Sequence, residues 1–162
     1  MIRTIDTDEL EKVEDAAHEF YAASKFLGTF RLDRFIEIWA QLLASGAGVI
    51  FADDLDGEIM GVIGGVIHRE IYGEALIAEE FFWFVREGAR GAGVALYRRF
   101  ERWARERGAR EIQMVHLFDS MPAKVARFYL RSGFEPVEMR YRKALGPQEK
   151  TALAPAGEIR AA

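Results

Sequence analysis

The chain has 162 residues, 50% of them hydrophobic and 12% aromatic, which is enough apolar material for a buried core and too much for a disordered chain. It contains no cysteine, which excludes disulfides, thiolate catalysis and cysteine-ligated zinc, and its three histidines (His18, His68, His116) share no metal-ligand spacing, so no metal site is expected. The net charge of -4 is unevenly spread: residues 1–85 hold 6 Lys/Arg against 17 Asp/Glu, whereas residues 86–143 hold 14 against 7. A basic second half suits a polyanionic ligand, while the acidic first half opposes a large nucleic-acid footprint.

Met1 to Ile5 reads as a short strand. Thr7 is the expected cap of a helix reaching about Ser24, with Leu10, Val13, Ala17, Phe20 and Tyr21 at helical spacing. A second helix follows from about Leu32 to Ala44, its apolar face made by Phe35, Ile38, Trp39, Leu42 and Leu43. The connection between them carries Phe26 and Phe30, which either line a substrate pocket or fold back on the core. Val49 to Ala52 is a strand, the acidic stretch Asp53 to Gly57 a turn, and Glu58 to about Ile71 a long strand interrupted at Gly64-Gly65. Ala75 to Val85 is the next strand. Its adjacent Glu79 and Glu80 point to opposite faces, by plain alternation Glu79 with Phe81, Trp83 and Val85, and Glu80 with Phe82 and Phe84.

The run Arg86-Glu87-Gly88-Ala89-Arg90-Gly91-Ala92-Gly93 then joins this strand to a helix from about Ala92 to Arg107. Glycines at 88, 91 and 93 let backbone N–H groups approach an anion, the helix start adds unpaired N–H groups and a positive dipole end, and Arg90 adds a fixed cation. The run lacks the Lys-Ser/Thr of a Walker A loop, and Leu96 stands where the dinucleotide fingerprint needs glycine. The helix has Leu96, Phe100, Trp103 and Ala104 on one face. Glu111 to Leu117 reads as a strand, and a helix capped by Asp119 or Ser120 runs to Gly133 with Phe128 and Tyr129 near its end. Glu138 to Leu145 reads as a last strand. Residues 146–162 lack apolar periodicity and read as a disordered tail behind a single domain, 1–145. No apolar run approaches the roughly 20 residues of a membrane span, and the acidic start lacks a signal peptide's basic flank. A cytoplasmic protein without a membrane partner is expected.

The order Arg90-Gly91-Ala92-Gly93-Val94-Ala95-Leu96 resembles the acyl-CoA loop of the GNAT family of N-acetyltransferases, and Phe128-Tyr129-Leu130-Arg131-Ser132-Gly133-Phe134 resembles that family's FYxxxGF segment. The element order β-α-α-β-β-β-α-β-α-β agrees with the same family. The resemblance implies an α/β fold with a mixed, mostly antiparallel sheet flanked by helices on both faces. It also implies direct acyl transfer from acetyl-CoA to an amine. On that reading the cofactor-binding residues are Phe84, Val85, Arg86, Gly88, Arg90, Gly91, Ala92, Gly93, Val94 and Ser120, with backbone N–H groups around Phe84 and Val85 holding the oxyanion. Tyr129 matches the family's usual proton donor to the CoA thiolate, and Glu79 or Glu80 supplies the base, with His116 a third candidate. Two positions depart from the family. Gly88 stands where Gln or Arg is usual, and Pro122 stands where Asn is common, leaving Ser120 to replace its amide contact. A GNAT-shaped module that binds acyl-CoA without turnover is the alternative. The acceptor, a small-molecule or peptide amine, and dimerisation through sheet edges or the last strand stay open.

Overall fold

The computed structural model describes residues 1–24, 26, 28–89, 91–117, 122–138 and 140–146, Pro122 for its backbone alone. By contacts the chain forms two compact units. One comprises Met1–Phe20 and Arg31–Val115, the other Tyr21–Phe30 and the chain from His116 onward.

The first unit is built on a five-stranded sheet in the order β1 to β5: β1 Ile2–Thr4, β2 Gly48–Leu55, β3 Glu58–Arg69, β4 Leu76–Val85 and β5 Glu111–Gln113. The first four strands are mutually antiparallel, and β5 runs parallel to β4. The mixed, mostly antiparallel sheet is thus as expected. A 3-10 segment, Thr7–Val13, precedes α1 (Glu14–Ala23), and α2 (Leu32–Ala44) follows. The cap is Asp6 rather than Thr7. Its backbone N–H donates to the Glu9 carboxylate (3.3 Å) and its carbonyl accepts from the Glu9 N–H (3.0 Å), tightening the first turn.

Helices cover both faces of the sheet. On one face Leu10, Val13, Ala16 and Trp39 pack on Ile50, Ala52, Val62, Val66 and Phe82, with Phe20 and Phe35 against the same ring. On the other, Leu96, Phe100, Trp103 and Ala104 of α3 (Ala92–Glu106) pack on Val49, Phe51, Ile63 and Ala78. That is the α3 face expected from helical spacing. In α2, Trp39 is buried but Ile38 is exposed, at the rim of the apolar stripe.

Gly64-Gly65 does not interrupt β3; the strand runs through it. A Cβ on Gly64 would lie 2.3 Å from the Phe82 ring, and one on Gly65 would lie 2.4 Å from the Glu79 carbonyl and 2.7 Å from Phe100. The glycine pair is the space that two aromatic rings, one per face, occupy.

The register shifts at this point. Gly64 pairs with Phe82 and Gly65 with Glu80, leaving Phe81 as an extra residue in β4. This bulge overturns the faces expected from unbroken alternation. Antiparallel partners share a face, so Glu79 (opposite Val66), Phe82 (opposite Gly64) and Phe84 (opposite Val62) lie on the α2 side. Glu80 (opposite Gly65), Trp83 (opposite Ile63) and Val85 (opposite Gly61) lie on the α3 side. Phe81 itself is half exposed, 6.3 Å from Trp39 ring to ring.

In the second unit, α4 (Pro122–Arg131) carries Tyr129, and Tyr21 lies against Phe26 (5.4 Å) and Phe30 (5.7 Å). Those loop rings fold back on the end of their own helix. The expected last strand, Glu138 to Leu145, is not formed among the described residues of that stretch. Val137, Tyr141 and Leu145 are all exposed. Alternating residues make a strand only where a ladder partner takes up their N–H and C=O groups. The tail from Pro147 and the expected cap, Asp119 or Ser120, lie outside the described residues.

Candidate active site

β4 and β5 pair over three residues only, Ile77 with Glu111, Ala78 with Ile112 and Glu79 with Gln113. Beyond that point β4 continues for six residues to Val85 with no β5 partner among the described residues. The sheet forks there. The Arg86 N–H donates to the Met60 carbonyl of β3 at 2.9 Å. Alternation along an antiparallel strand therefore turns the Phe84 N–H toward β3 and the Val85 N–H toward the open side of the fork.

The two carboxylates stand at the base of the fork in different surroundings. Glu80 is 4% exposed, and its Oε2 accepts the Val115 N–H at 3.1 Å, bridging to the segment after β5 where the ladder has stopped. Burial pushes its carboxyl up to about 8. The Val115 hydrogen bond pulls the other way, and the neighbouring Glu79 charge adds to the rise. Glu79, on the opposite face, has a side chain 22% exposed, and its Oε2 lies 3.2 Å from Nε2 of His68. His68 was missed in the sequence. The signal is the β3–β4 register: Val66 faces Glu79, which sets His68 diagonally beside it on the same face.

From Val85 the chain turns into α3. Gly88 (φ +90) and Gly91 (φ +83) both adopt left-handed backbone, and Gly91 is the N-cap. No Cβ added at either would meet an atom of the described residues within 4 Å. Glycine is needed here for conformation rather than for room. The cap has no side chain, and α3 carries no acidic residue in its first turn. The Ala92 N–H donates to Ala89 (3.3 Å). The N–H groups of Gly93 and Val94 lead the helix, ahead of any carbonyl of its own. The result is an electropositive turn with no carboxylate of its own helix to fill it.

Arg86 is held elsewhere. Its guanidinium donates to Glu19 of α1 (2.7 and 3.0 Å) and to Glu58 of β3 (3.4 Å). Arg86 also borders an open crevice of about 340 Å³ with Lys12, Asp15, Asp56 and Glu58, beside the β2–β3 turn. Apart from Arg86, none of the expected site residues among those described lines it. Arg90 and Ser120 lie outside the described residues.

Tyr129 belongs to the second unit. It is buried there, its ring 5.2 Å from Phe134, 5.9 Å from Phe128 and 6.4 Å from His116. The structure therefore brings Glu79, Glu80, Val85 and the glycine turn together on β4 and the start of α3, and gathers Tyr129 and His116 in the other unit. Among the described residues no group of three His, Asp or Glu side chains could hold a metal ion, and no helix is long and apolar enough to cross a membrane.

The profile of the acetyltransferase (GNAT) family matches residues 10–134. The chain belongs to the GNAT family of acetyltransferases. No curated protein matches it. Solved GNAT structures share its fold. An aminoglycoside acetyltransferase, HMB0005, from an uncultured soil metagenomic sample is 16% identical with a TM-score of 0.72, over 90% of this chain and 98% of that one. The ribosomal-protein-alanine N-acetyltransferase from Brucella melitensis biovar Abortus 2308 is 15% identical with a TM-score of 0.67, over 89% and 99%. AAC(6')-Iy, in complex with the bisubstrate analogue CoA-S-monomethyl-acetylneamine, is 20% identical with a TM-score of 0.70, over 89% and 97%. At these identities the likeness is one of fold. In this GNAT chain the fork of β4 and β5 runs directly into the glycine turn.

Proposed function

We propose that this GNAT protein transfers an acetyl group from acetyl-CoA to a primary amine by direct attack. The observation that carries the reading is the continuity of the fork with the turn. Among the described residues the β4 backbone loses its β5 partner after Glu79, and the same strand leads into a helix capped by Gly91 with no side-chain cap hydrogen bond.

On this reading the pyrophosphate of acetyl-CoA rests on the turn from Gly88 through Gly91 and Ala92 and on the leading N–H groups of Gly93 and Val94, where the helix dipole favours negative charge. Arg90 and Ser120 supply further contacts. With Arg86 tied to Glu19 and Glu58, its contribution is to fix the turn against α1. The Val85 N–H, directed into the fork, donates to the oxyanion that forms as the amine attacks the thioester carbonyl, and Phe84 fixes that strand to β3.

Glu79 is the base. The amine must lose its proton to attack. Glu79 is accessible, whereas Glu80 is buried on the other face with its carboxyl occupied by Val115. When the tetrahedral intermediate collapses, the C–S bond breaks, the nitrogen gives up its second proton and the CoA sulfur takes one up; the family resemblance assigns that donor's role to the Tyr129 hydroxyl, which the nitrogen's proton restores.

The test is release of free CoA from acetyl-CoA in the presence of amines. The panel includes sisomicin and a peptide with an N-terminal alanine, chosen because solved GNAT structures include an aminoglycoside acetyltransferase with sisomicin and a ribosomal-protein-alanine N-acetyltransferase. Amine-dependent release is the expected result. Tight acetyl-CoA binding with no release beyond the no-amine rate, for every amine, would make the protein a binding module instead.

Gly91→Val probes the turn. With no atom of the described residues within 4 Å of a Cβ there, the main expected cost to the fold is the left-handed strain of about 1–2 kcal/mol. Calorimetry should show weaker acetyl-CoA binding by a folded protein; unchanged affinity would remove the turn from the site.

A further inference from the structure

We propose that Glu80 is a positioning residue for acetyl transfer: its buried side chain, fastened to the Val115 N–H, sets the opening of the fork in which the thioester lies; this rests on the acetyltransfer reading. The β4–β5 ladder ends at the pair Glu79–Gln113. Glu80 is the next residue of β4, and Val115 stands two positions past Gln113. There the two segments are joined through a side chain, Oε2 of Glu80 accepting the Val115 N–H at 3.1 Å.

A side-chain acceptor is a spacer. Backbone-to-backbone bonds hold neighbouring strands about 4.7–4.9 Å apart. A carboxyl two methylenes out from the β4 backbone reaches the same kind of donor across a wider gap. One bond thus fastens the chain after β5 and keeps it from closing onto β4. Its β4 end is well anchored. Glu80 lies on the α3 side opposite Gly65, where the Phe100 ring occupies the space a Cβ would need. Among the described residues Glu80 is the only buried carboxylate. Burying a carboxyl is unfavourable unless its oxygens find donors, so the Val115 N–H accounts for its presence. Burial also keeps the carboxyl largely protonated at neutral pH, and the bond is made without a bare charge in the core.

Being 4% exposed and on the face opposite Glu79, Glu80 acts through the backbone it spaces rather than by proton transfer. The gap that opens at Glu80 runs along β4 to Val85, whose N–H is the assigned oxyanion donor. A change of spacing at the root of the fork moves the thioester relative to that donor, and a misplacement of about 1 Å can cost about a hundredfold in rate. The body of the cofactor rests farther along, on the glycine turn. The effect therefore belongs in kcat more than in affinity.

Two measurements on the full chain test it. The first is amide hydrogen exchange in the wild type, where the Val115 N–H is expected to be protected. Exchange at the rate of an unprotected amide would overturn the proposal whether or not the protein turns over, and this measurement needs no variant.

The second is steady-state CoA release with the amine found active in the panel, alongside calorimetry with acetyl-CoA. Glu80→Leu has a similar size and no acceptor, and should lower kcat about tenfold to a hundredfold with the Kd for acetyl-CoA little changed. Glu80→Gln keeps an oxygen for Val115 and should restore kcat close to the wild-type value. A merely structural role would lower stability and leave the kcat of the folded molecules intact; that outcome in Glu80→Leu, or a Glu80→Gln protein impaired as badly, sinks the positioning role alone. A wild-type protein with no amine-dependent release sinks the acetyltransfer reading itself.

Discussion

Glu80 shows how one buried side chain couples a fold to pH. A glutamate with an ordinary value of 4.5 sits at about 8 here because burial removes the solvent that would stabilise its charge. Between those values the folded protein holds a proton that the unfolded chain has released. The group's contribution to stability therefore falls as pH rises from about 4.5 to about 8 and is level above that. At about 1.4 kcal/mol per pH unit the loss reaches at most roughly 5 kcal/mol. Glu80→Gln keeps an oxygen for the Val115 N–H and cannot ionise. Urea melts at pH 5 and pH 8 should show a stability drop in the wild type that is much smaller in the variant, and parallel behaviour would show that Glu80 titrates as an exposed carboxylate does. Tyr129 raises a different question, because it is both buried and the assigned proton donor. Tyr129→Phe removes one oxygen and conserves nearly all the contact with Phe128 and Phe134. Turnover should fall by about ten- to a thousandfold with acetyl-CoA affinity and melting temperature little changed. Full turnover would make the hydroxyl a bystander.

At the scale of elements, the fork depends on β3 fitting closely between two layers. Phe82 fills the space over Gly64 on one face, and Phe100 fills the space over Gly65 on the other. The bulge at Phe81 follows between the same two positions and sets which carboxylate looks which way. Gly65→Ala would place a methyl carbon 2.4 Å from the Glu79 carbonyl, a backbone atom that cannot swing aside. Overpacking of this kind costs about 1–3 kcal/mol, and since the moving atom belongs to Glu79, kcat should fall along with stability. Chemical denaturation together with CoA-release kinetics would check both. A stability loss with kcat intact would show that the bulge tolerates displacement and that the alignment of Glu79 is set elsewhere.

At the scale of the molecule, a ligand that binds only the folded chain stabilises it by mass action. Acetyl-CoA at about a hundred times its Kd should add roughly 2.7 kcal/mol, read as a rise in melting temperature. Gly91→Val should show a smaller rise at the same concentration. Equal rises would place the binding energy outside the glycine turn. Truncation after Pro147 tests the other end of the chain. The segment lacks apolar periodicity, so a melting temperature within a degree or two of the full chain is expected, and a drop of several degrees would show that it docks.

Local chemistry was legible without coordinates wherever it is carried by near neighbours. Helical spacing named Leu96, Phe100, Trp103 and Ala104 as one buried face; glycines at 88 and 91 marked a turn with left-handed backbone; and two motifs at the right separation identified the family. Each of those signals is written in consecutive residues or in a fixed helical period. What only the tertiary structure decided was the register of one strand against another. A single extra residue at Phe81 put Glu79 on the face of Phe82 and Phe84 and Glu80 on the face of Trp83 and Val85, the reverse of simple alternation. It follows from Gly64 and Gly65 meeting Phe82 and Phe100 across two layers. His68 was silent because it stands eleven positions before Glu79, and only strand pairing brings an imidazole nitrogen to a carboxylate oxygen. The stretch from Glu138 to Leu145 read as a strand but forms none among its described residues, because sequence states a preference and a ladder needs a partner's carbonyls and N–H groups to satisfy it.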